Sequence, residues 1–213
     1  MVKIAPSILS IDFTNFDQQI RLLNDTKAEW LHFDVMDGHF VDNLTFGPKI
    51  LNDVKKISDL FCDVHIMVSN PETVYQWFPA ANGITFHYEA IRNDEEIISL
   101  IKKIQGQNQK AGISIKPTTN VRVLEKILPH IDLVLVMSVE PGHGGQEFLP
   151  SALDKIDFLK SFKEENQLSY WIQVDGGIND KTAVEVKNAG AEILVAGSYV
   201  FSGDIAENIE SLL

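Results

Sequence analysis

The 213-residue chain has one cysteine, Cys62, so an intrachain disulfide is excluded and a reducing compartment is the expected setting. Cys62 lies in the apolar run Leu60–Phe61–Cys62 and reads as a small buried hydrophobe. Long apolar stretches are missing as well. Runs such as Leu133–Met137 fall far short of the ~18 residues that a membrane-spanning helix needs. Pro6 and Asp12 stand where a signal peptide would need an apolar stretch, and a cytoplasmic location is expected. Basic residues are few: 18 Lys and Arg against 30 Asp and Glu leave a net charge of −12. That balance excludes a broad nucleic-acid footprint or an anionic membrane surface as partner. No Gly-x-x-x-x-Gly-Lys-Ser/Thr loop is present, which excludes the usual nucleoside triphosphate chemistry. No linker, low-complexity tract or compositional break appears, so residues 1–213 are expected to form one domain.

What the chain does contain is an alternation of two element types. Short runs rich in β-branched residues read as buried strands: Lys3–Leu9, Trp30–Met36, Phe61–Val68, Gly83–His87, Ala111–Lys116, Leu133–Val139, Tyr170–Val174 and Ile193–Ala196. Helical spacing fills the intervals, as in Phe16–Leu23, Ile97–Ile104 and Leu153–Phe162. Asp94, Pro150 and Asp180 read as helix starts, and Gly106 and Gly190 as stops. Eight strands, each followed by a helical pattern, predict an α/β fold of the (β/α)8 TIM-barrel type. An open doubly wound sheet is the rival, but it usually has five or six strands. Both place the site at the carboxyl ends of the strands.

Polar residues near those ends carry the chemical signal. Strand alternation puts His32, Asp34 and Met36 on one face, and likewise Asp63, His65 and Met67. The seventh strand ends in Gln173-Val174-Asp175. His32, Asp34, His65 and Asp175 form a suitable set for a borderline divalent ion such as zinc, iron(II), manganese or cobalt. Structural histidines are the alternative, but His32, His65 and His87 all sit toward one end of their strands, with His39 and His143 in the loops just beyond. Three consecutive loops are rich in small residues: Pro141–Gln146, Asp175–Ile178 and Ala196–Ser198. Such loops let backbone N–H groups approach a phosphate, although glycine is also the ordinary turn residue.

Several segments, in order along the whole chain, resemble the ribulose-phosphate 3-epimerase family. They include Ala5-Pro6-Ser7-Ile8-Leu9-Ser10, His32-Phe33-Asp34-Val35-Met36-Asp37-Gly38, Asp63-Val64-His65-Ile66-Met67-Val68 and Phe86-His87-Tyr88-Glu89-Ala90. Met137-Ser138-Val139-Glu140-Pro141-Gly142, Val174-Asp175-Gly176-Gly177 and Val195-Ala196-Gly197-Ser198 continue it. The resemblance implies a (β/α)8 barrel that interconverts D-ribulose 5-phosphate and D-xylulose 5-phosphate in the pentose phosphate pathway. It implies one divalent ion per subunit on His32, Asp34, His65 and Asp175, with Asp34 and Asp175 also the two acid/base groups. The implied substrate contacts are Ser7, His65, Gly142, His143, Gly144, Gly145, Asp175, Gly176, Gly177, Gly197 and Ser198. Met36, Met67 and Met137 would line the reacting carbons, a position that plain core packing would also explain. The implied partners are a phosphorylated ketose and further copies of the chain in a homo-oligomer.

Three positions depart from the family pattern. Asp42 stands where Pro is usual, His143 where an aromatic residue is usual, and Gln173 where Glu is frequent. None removes a ligand or an acid/base. His143 reads as a substitute for ring bulk, with an added donor in the phosphate loop as the alternative, and Gln173, if it points inward, leaves one fewer negative charge near the ion. A 3-epimerase of a six-carbon ketose phosphate shares the two-His, two-Asp core and stays open. A metal-free phosphate-binding lyase or decarboxylase is a second alternative, but the Asp-x-Lys-x-x-Asp run of the decarboxylases is absent. A non-catalytic sugar-phosphate sensor is the third.

Overall fold

The structure, a computed structural model, describes residues 2–213. Eight strands run in parallel: β1 (Lys3–Pro6), β2 (Trp30–Met36), β3 (Phe61–Met67), β4 (Gly83–His87), β5 (Lys110–Ile115), β6 (Leu133–Met137), β7 (Trp171–Asp175) and β8 (Ile193–Ala196). Their order is β1-β8-β7-β6-β5-β4-β3-β2, and a parallel bridge between Ser7 and His32 brings the two ends together. The expected (β/α)8 barrel is therefore the observed fold. Among the described residues no helix is long and apolar enough to cross a membrane.

The helices are α1 (Phe16–Asn24), α2 (Pro48–Val54), α3 (Pro71–Val74), α4 (Asp94–Gln105), α5 (Ser151–Glu165), α6 (Asp180–Ala189), α7 (Ser198–Phe201) and α8 (Ile205–Leu212). Helix α4 shows why they form. The Asn93 side chain caps it by accepting from the Glu96 amide at 2.9 Å. Asp94, Glu95 and Glu96 fill the first turn and Lys102 and Lys103 the last, so both ends complement the helix dipole. Ile97, Leu100, Ile101 and Ile104 recur every three or four residues and form the buried stripe. Asp94 and Asp180 do open their helices, although the capping side chains belong to Asn93 and Asn179.

Strand limits shift by one or two residues in several places, and two larger differences from the sequence reading have local causes. β1 ends at Pro6 rather than Leu9, because the Ser7 hydroxyl accepts from the Leu9 amide and turns Ile8–Ser10 into a 3-10 helix. The segment after β5 holds 3-10 turns at Val121–Leu124 and Leu128–His130 instead of an α-helix. Pro129 lies inside the second turn and has no N–H for a longer ladder.

Alternation along each strand divides the apolar residues. Outward residues such as Leu31, Phe33, Val64 and Ile66 join the helices in the main core. A second cluster containing Ala5, Trp30, Leu133, Leu135, Ile193 and Val195 fills the barrel. Trp30 stacks on Phe61 at 4.0 Å and meets Trp171 edge-on at 5.4 Å. These three aromatics begin their strands, so they plug the amino end of the barrel. Above the plug the inward positions of β2, β3 and β7 turn polar.

Gly112 shows how little slack the interior has. A Cβ there would lie 2.3 Å from Thr85 Oγ1 and 3.0 Å from Leu133 Cδ2. Gly112→Ala is expected to destabilise the protein by about 1–3 kcal/mol through overpacking. Urea unfolding monitored by circular dichroism reads it, and an unchanged midpoint would refute tight packing at this point.

Candidate active site

The side chains of His32, Asp34, His65 and Asp175 converge at the carboxyl end of the barrel. One nitrogen or oxygen atom from each lies within 4.8 Å of the other three. Asp34 Oδ1 is 3.4 Å from both His32 Nε2 and His65 Nδ1, and Asp175 Oδ2 is 4.0 Å from His32 Nε2. The two imidazoles are fully buried. The other Asp34 oxygen accepts the Ser7 hydroxyl at 2.6 Å. Ser7 thus touches an acid/base candidate directly.

Each imidazole is held by its other nitrogen. Asp63 Oδ2 accepts from His32 Nδ1 at 2.9 Å and from Gln173 Nε2 at 2.7 Å. His65 Nε2 is 2.9 Å from His87 Nε2. His32 Nε2 and His65 Nδ1 are left buried without a hydrogen-bond partner, facing the same carboxylate. Buried polar atoms are rarely left this way, and at such atoms an ion is an ordinary explanation. Two nitrogen and two carboxylate donors suit a divalent ion of the zinc, iron(II), manganese or cobalt kind. The residues therefore fit the group that the sequence suggests.

The electrostatics separate the two carboxylates. Burial works against a charged Asp34, but His32 and His65 outweigh it and hold the carboxyl well below its usual range. Burial lifts the Asp175 carboxyl to about 7; His32 pulls it down while the Asp34 and Asp63 charges push it up. Burial also opposes a charged His32, yet Asp34 and Asp63 raise its pKa well above the ordinary value. His65 moves the other way, lowered chiefly by burial.

Above this cluster a cavity opens at the carboxyl ends of the strands. Its floor includes Asp34 and Asp175, and its walls include Met36, Met67 and Met137. The loops Gly142–Gly145, Gly176–Gly177 and Gly197–Ser198 line one side, with His143 among them. The two glycines that follow β7 are sterically required. At Gly177 (φ +64°) a Cβ would sit 2.5 Å from the Phe148 amide nitrogen, and at Gly176 (φ +120°) 2.5 Å from Val139 Cγ2. His65, implied as a substrate contact as well as a ligand, lies buried behind Asp34 and does not line the cavity.

Of the three departures, Asp42 and His143 are exposed. Gln173 does point inward. It is fully buried, and its amide holds Asp63 in place. Sequence reasoning gave no role to Asp63, His87, Glu89 or Ser10. Alternation had already put Asp63 on the face of His65, and that was the available signal. Ser10 Oγ lies where a Cβ on Gly144 or Gly197 would meet it, a proximity only the folded chain reveals.

A parallel barrel whose strand ends gather two imidazoles and two carboxylates beneath glycine loops belongs to the class of barrel enzymes that work at this face. The sequence matches the ribulose-phosphate 3-epimerase family over residues 3–201. It is 43% identical to the ribulose-phosphate 3-epimerase of Treponema pallidum (strain Nichols), covering 95% of this chain and 92% of the relative. It is also 43% identical to the ribulose-phosphate 3-epimerase of Bacillus subtilis (strain 168), over 94% of this chain and 93% of the relative. Among solved structures, a variant tryptophan synthase α-subunit from Pyrococcus furiosus superposes with a TM-score of 0.72 at 15% identity, covering 100% of this chain and 99% of that one, which shows the shared fold. The chain belongs to the ribulose-phosphate 3-epimerase family and is an isomerase of the epimerase type.

Gln173→Glu would set a second carboxylate against Asp63. Their repulsion raises the folded-state pKa of the pair, so the folded state binds more protons than the unfolded chain. Stability of the variant should then fall as pH rises, with a loss of about 1–3 kcal/mol at pH 8 that shrinks toward pH 5. Denaturant unfolding at both pH values checks this, and a pH-independent difference from the parent would count against the inward geometry.

Proposed function

We propose that the chain inverts C3 of D-ribulose 5-phosphate to give D-xylulose 5-phosphate, reversibly, with one divalent cation held by His32, Asp34, His65 and Asp175. The observation that carries this reading is the convergence of those four side chains under a glycine-lined cavity. When bound, the cation supplies Lewis-acid stabilisation of the negative charge that develops on the C2 oxygen once the C3 proton leaves.

The proton transfers belong to the two carboxylates. Inversion needs a group on each face of the reacting carbon. Asp34 comes from β2 and Asp175 from β7, and in the ring of strands β1 and β8 lie between them. Their environments push the two pKa values apart, as expected of a pair that shares a proton and titrates as a unit. In one direction the ionised Asp34 takes the C3 proton and the protonated Asp175 delivers its own to the opposite face. The reverse reaction exchanges the roles. Ser7, by donating to Asp34 Oδ2, aims the remaining oxygen Oδ1 at the cluster.

Gly142, His143, Gly144, Gly145, Gly176, Gly177, Gly197 and Ser198 form the phosphate end of the pocket. Gly197 precedes the short helix α7, whose first amides lack intrahelical acceptors and suit an anion. Met36, Met67 and Met137 supply an adaptable apolar wall that accepts either epimer. One domain, a homo-oligomeric assembly and a cytoplasmic location complete this reading; the buried free thiol of Cys62 agrees with a reducing setting.

Asp34→Asn and Asp175→Asn are each expected to lower kcat by about 10²–10⁴-fold with the circular dichroism spectrum unchanged. Near-full activity in either would overturn the two-base assignment. Assays of D-ribulose 5-phosphate beside D-allulose 6-phosphate decide between five and six carbons. A cation at this site competes with protons on His32 and Asp175. Cobalt(II) affinity should therefore be weaker at pH 6 than at pH 8, with proton release on binding. Equilibrium titration at both pH values measures it, and an affinity that does not fall at pH 6 would remove those ligands from the set.

A further inference from the structure

His87 and Glu89 lie outside the four-residue cluster, yet a continuous hydrogen-bonded chain joins them to it. His65 Nδ1 faces Asp34 Oδ1 at 3.4 Å, and His65 Nε2 meets His87 Nε2 at 2.9 Å. His87 Nδ1 meets Glu89 Oε2 at 3.2 Å. The other Glu89 oxygen accepts the Lys116 amide at 2.8 Å and the Thr119 hydroxyl. The His65 and His87 rings meet edge to edge with their centroids 4.9 Å apart, and Phe40 covers His87 at 4.8 Å. Both imidazoles are fully buried, while Glu89 sits at the start of the loop after β4 with its side chain 21% exposed.

We propose that Glu89, acting through His87, fixes the tautomer in which His65 presents its Nδ1 lone pair to the site. This deepens the reading of His65 as a ligand and rests on it. The order of protons follows from what each atom is able to do. A carboxylate only accepts, so His87 Nδ1 carries a hydrogen. A neutral His87 then has a lone pair on Nε2. The contact between the two Nε2 atoms holds one hydrogen, which must therefore come from His65. His65 is left with its Nδ1 lone pair facing Asp34 Oδ1, the state a metal ligand needs. Donors from Lys116 and Thr119 hold the carboxylate at the far end. Glu89 and His87 are positioning residues: neither lines the cavity.

Glu89→Gln tests the order of protons without a change of shape. The glutamine oxygen must stay with the Lys116 and Thr119 donors, which turns its NH₂ toward His87 Nδ1. His87 Nδ1 then becomes an acceptor, its Nε2 a donor, and His65 Nε2 an acceptor. The hydrogen of His65 moves to Nδ1 and points at Asp34.

The experiment is long-range ¹H–¹⁵N NMR of histidine ring nitrogens in the metal-free full-length protein, beside cobalt(II) titration. In the parent, the expected result is hydrogen on His65 Nε2 and on His87 Nδ1. In Glu89→Gln both tautomers invert, and cobalt(II) affinity drops about 10–100-fold. A parent His65 with hydrogen on Nδ1 overturns the proposal. So does a Glu89→Gln protein whose ring nitrogens and cobalt(II) affinity match the parent. Should Glu89→Gln fail to fold, the parent spectrum alone still distinguishes the two tautomers. A parent that shows the expected tautomers but binds no cobalt(II) overturns the ligand reading while upholding the proton order.

Discussion

An ionisable side chain taken out of water costs several kcal/mol unless a partner compensates it. The barrel interior here holds three aspartates and three histidines within a few ångströms, nearly all inaccessible to solvent. That constraint organises the structure. Asp63 accepts from both His32 and Gln173, His87 bridges His65 to Glu89, and Ser7 satisfies one oxygen of Asp34. The histidine atoms left without partners, His32 Nε2 and His65 Nδ1, face one small volume. Two partnerless buried nitrogens that face one carboxylate define a binding point.

The apolar plug of Trp30, Phe61 and Trp171 is the counterpart of this arrangement. By filling the amino end it turns the polar layer toward the carboxyl end, where the glycine loops stand. The net charge of −12 does not oppose an anionic substrate there. No Lys or Arg occurs in the three glycine loops, so a phosphate held there would be bound by backbone N–H groups, which formal charge does not count. An ionised Asp34 and a divalent cation would leave the centre itself without net negative charge. The acidity of the chain belongs to its outer surface.

Much of this was legible in the sequence because period-two alternation is a strong signal in buried strands. It placed His32 with Asp34 and Asp63 with His65 on inward faces, and the structure brings those faces together with Asp175 and Gln173 of β7. The limits of the strands were less legible. β1 stops early because a serine hydroxyl captures an amide two residues on, a local bond that hydrophobic pattern does not register. The helical stretch after β5 dissolves into 3-10 turns around Pro129. Roles that depend on contacts between strands were out of reach. Nothing in Phe86-His87-Tyr88-Glu89 says that His87 meets His65 or that Glu89 reaches the Lys116 amide. Those facts arise from the register between β3, β4 and β5.

The bond between Gln173 and Asp63 joins residues 110 positions apart. The bridge between Ser7 and His32 brings the first strand alongside the second. The four converging side chains come from β2, β3 and β7, so no half of the barrel contains them all. Contacts of such long range form late, because the entropy of closing large loops has to be met first. A partly folded chain therefore exposes isolated imidazoles and carboxylates but no assembled centre. Any ion that needs all four ligands binds only the completed ring, and its binding energy adds to the stability of that ring alone.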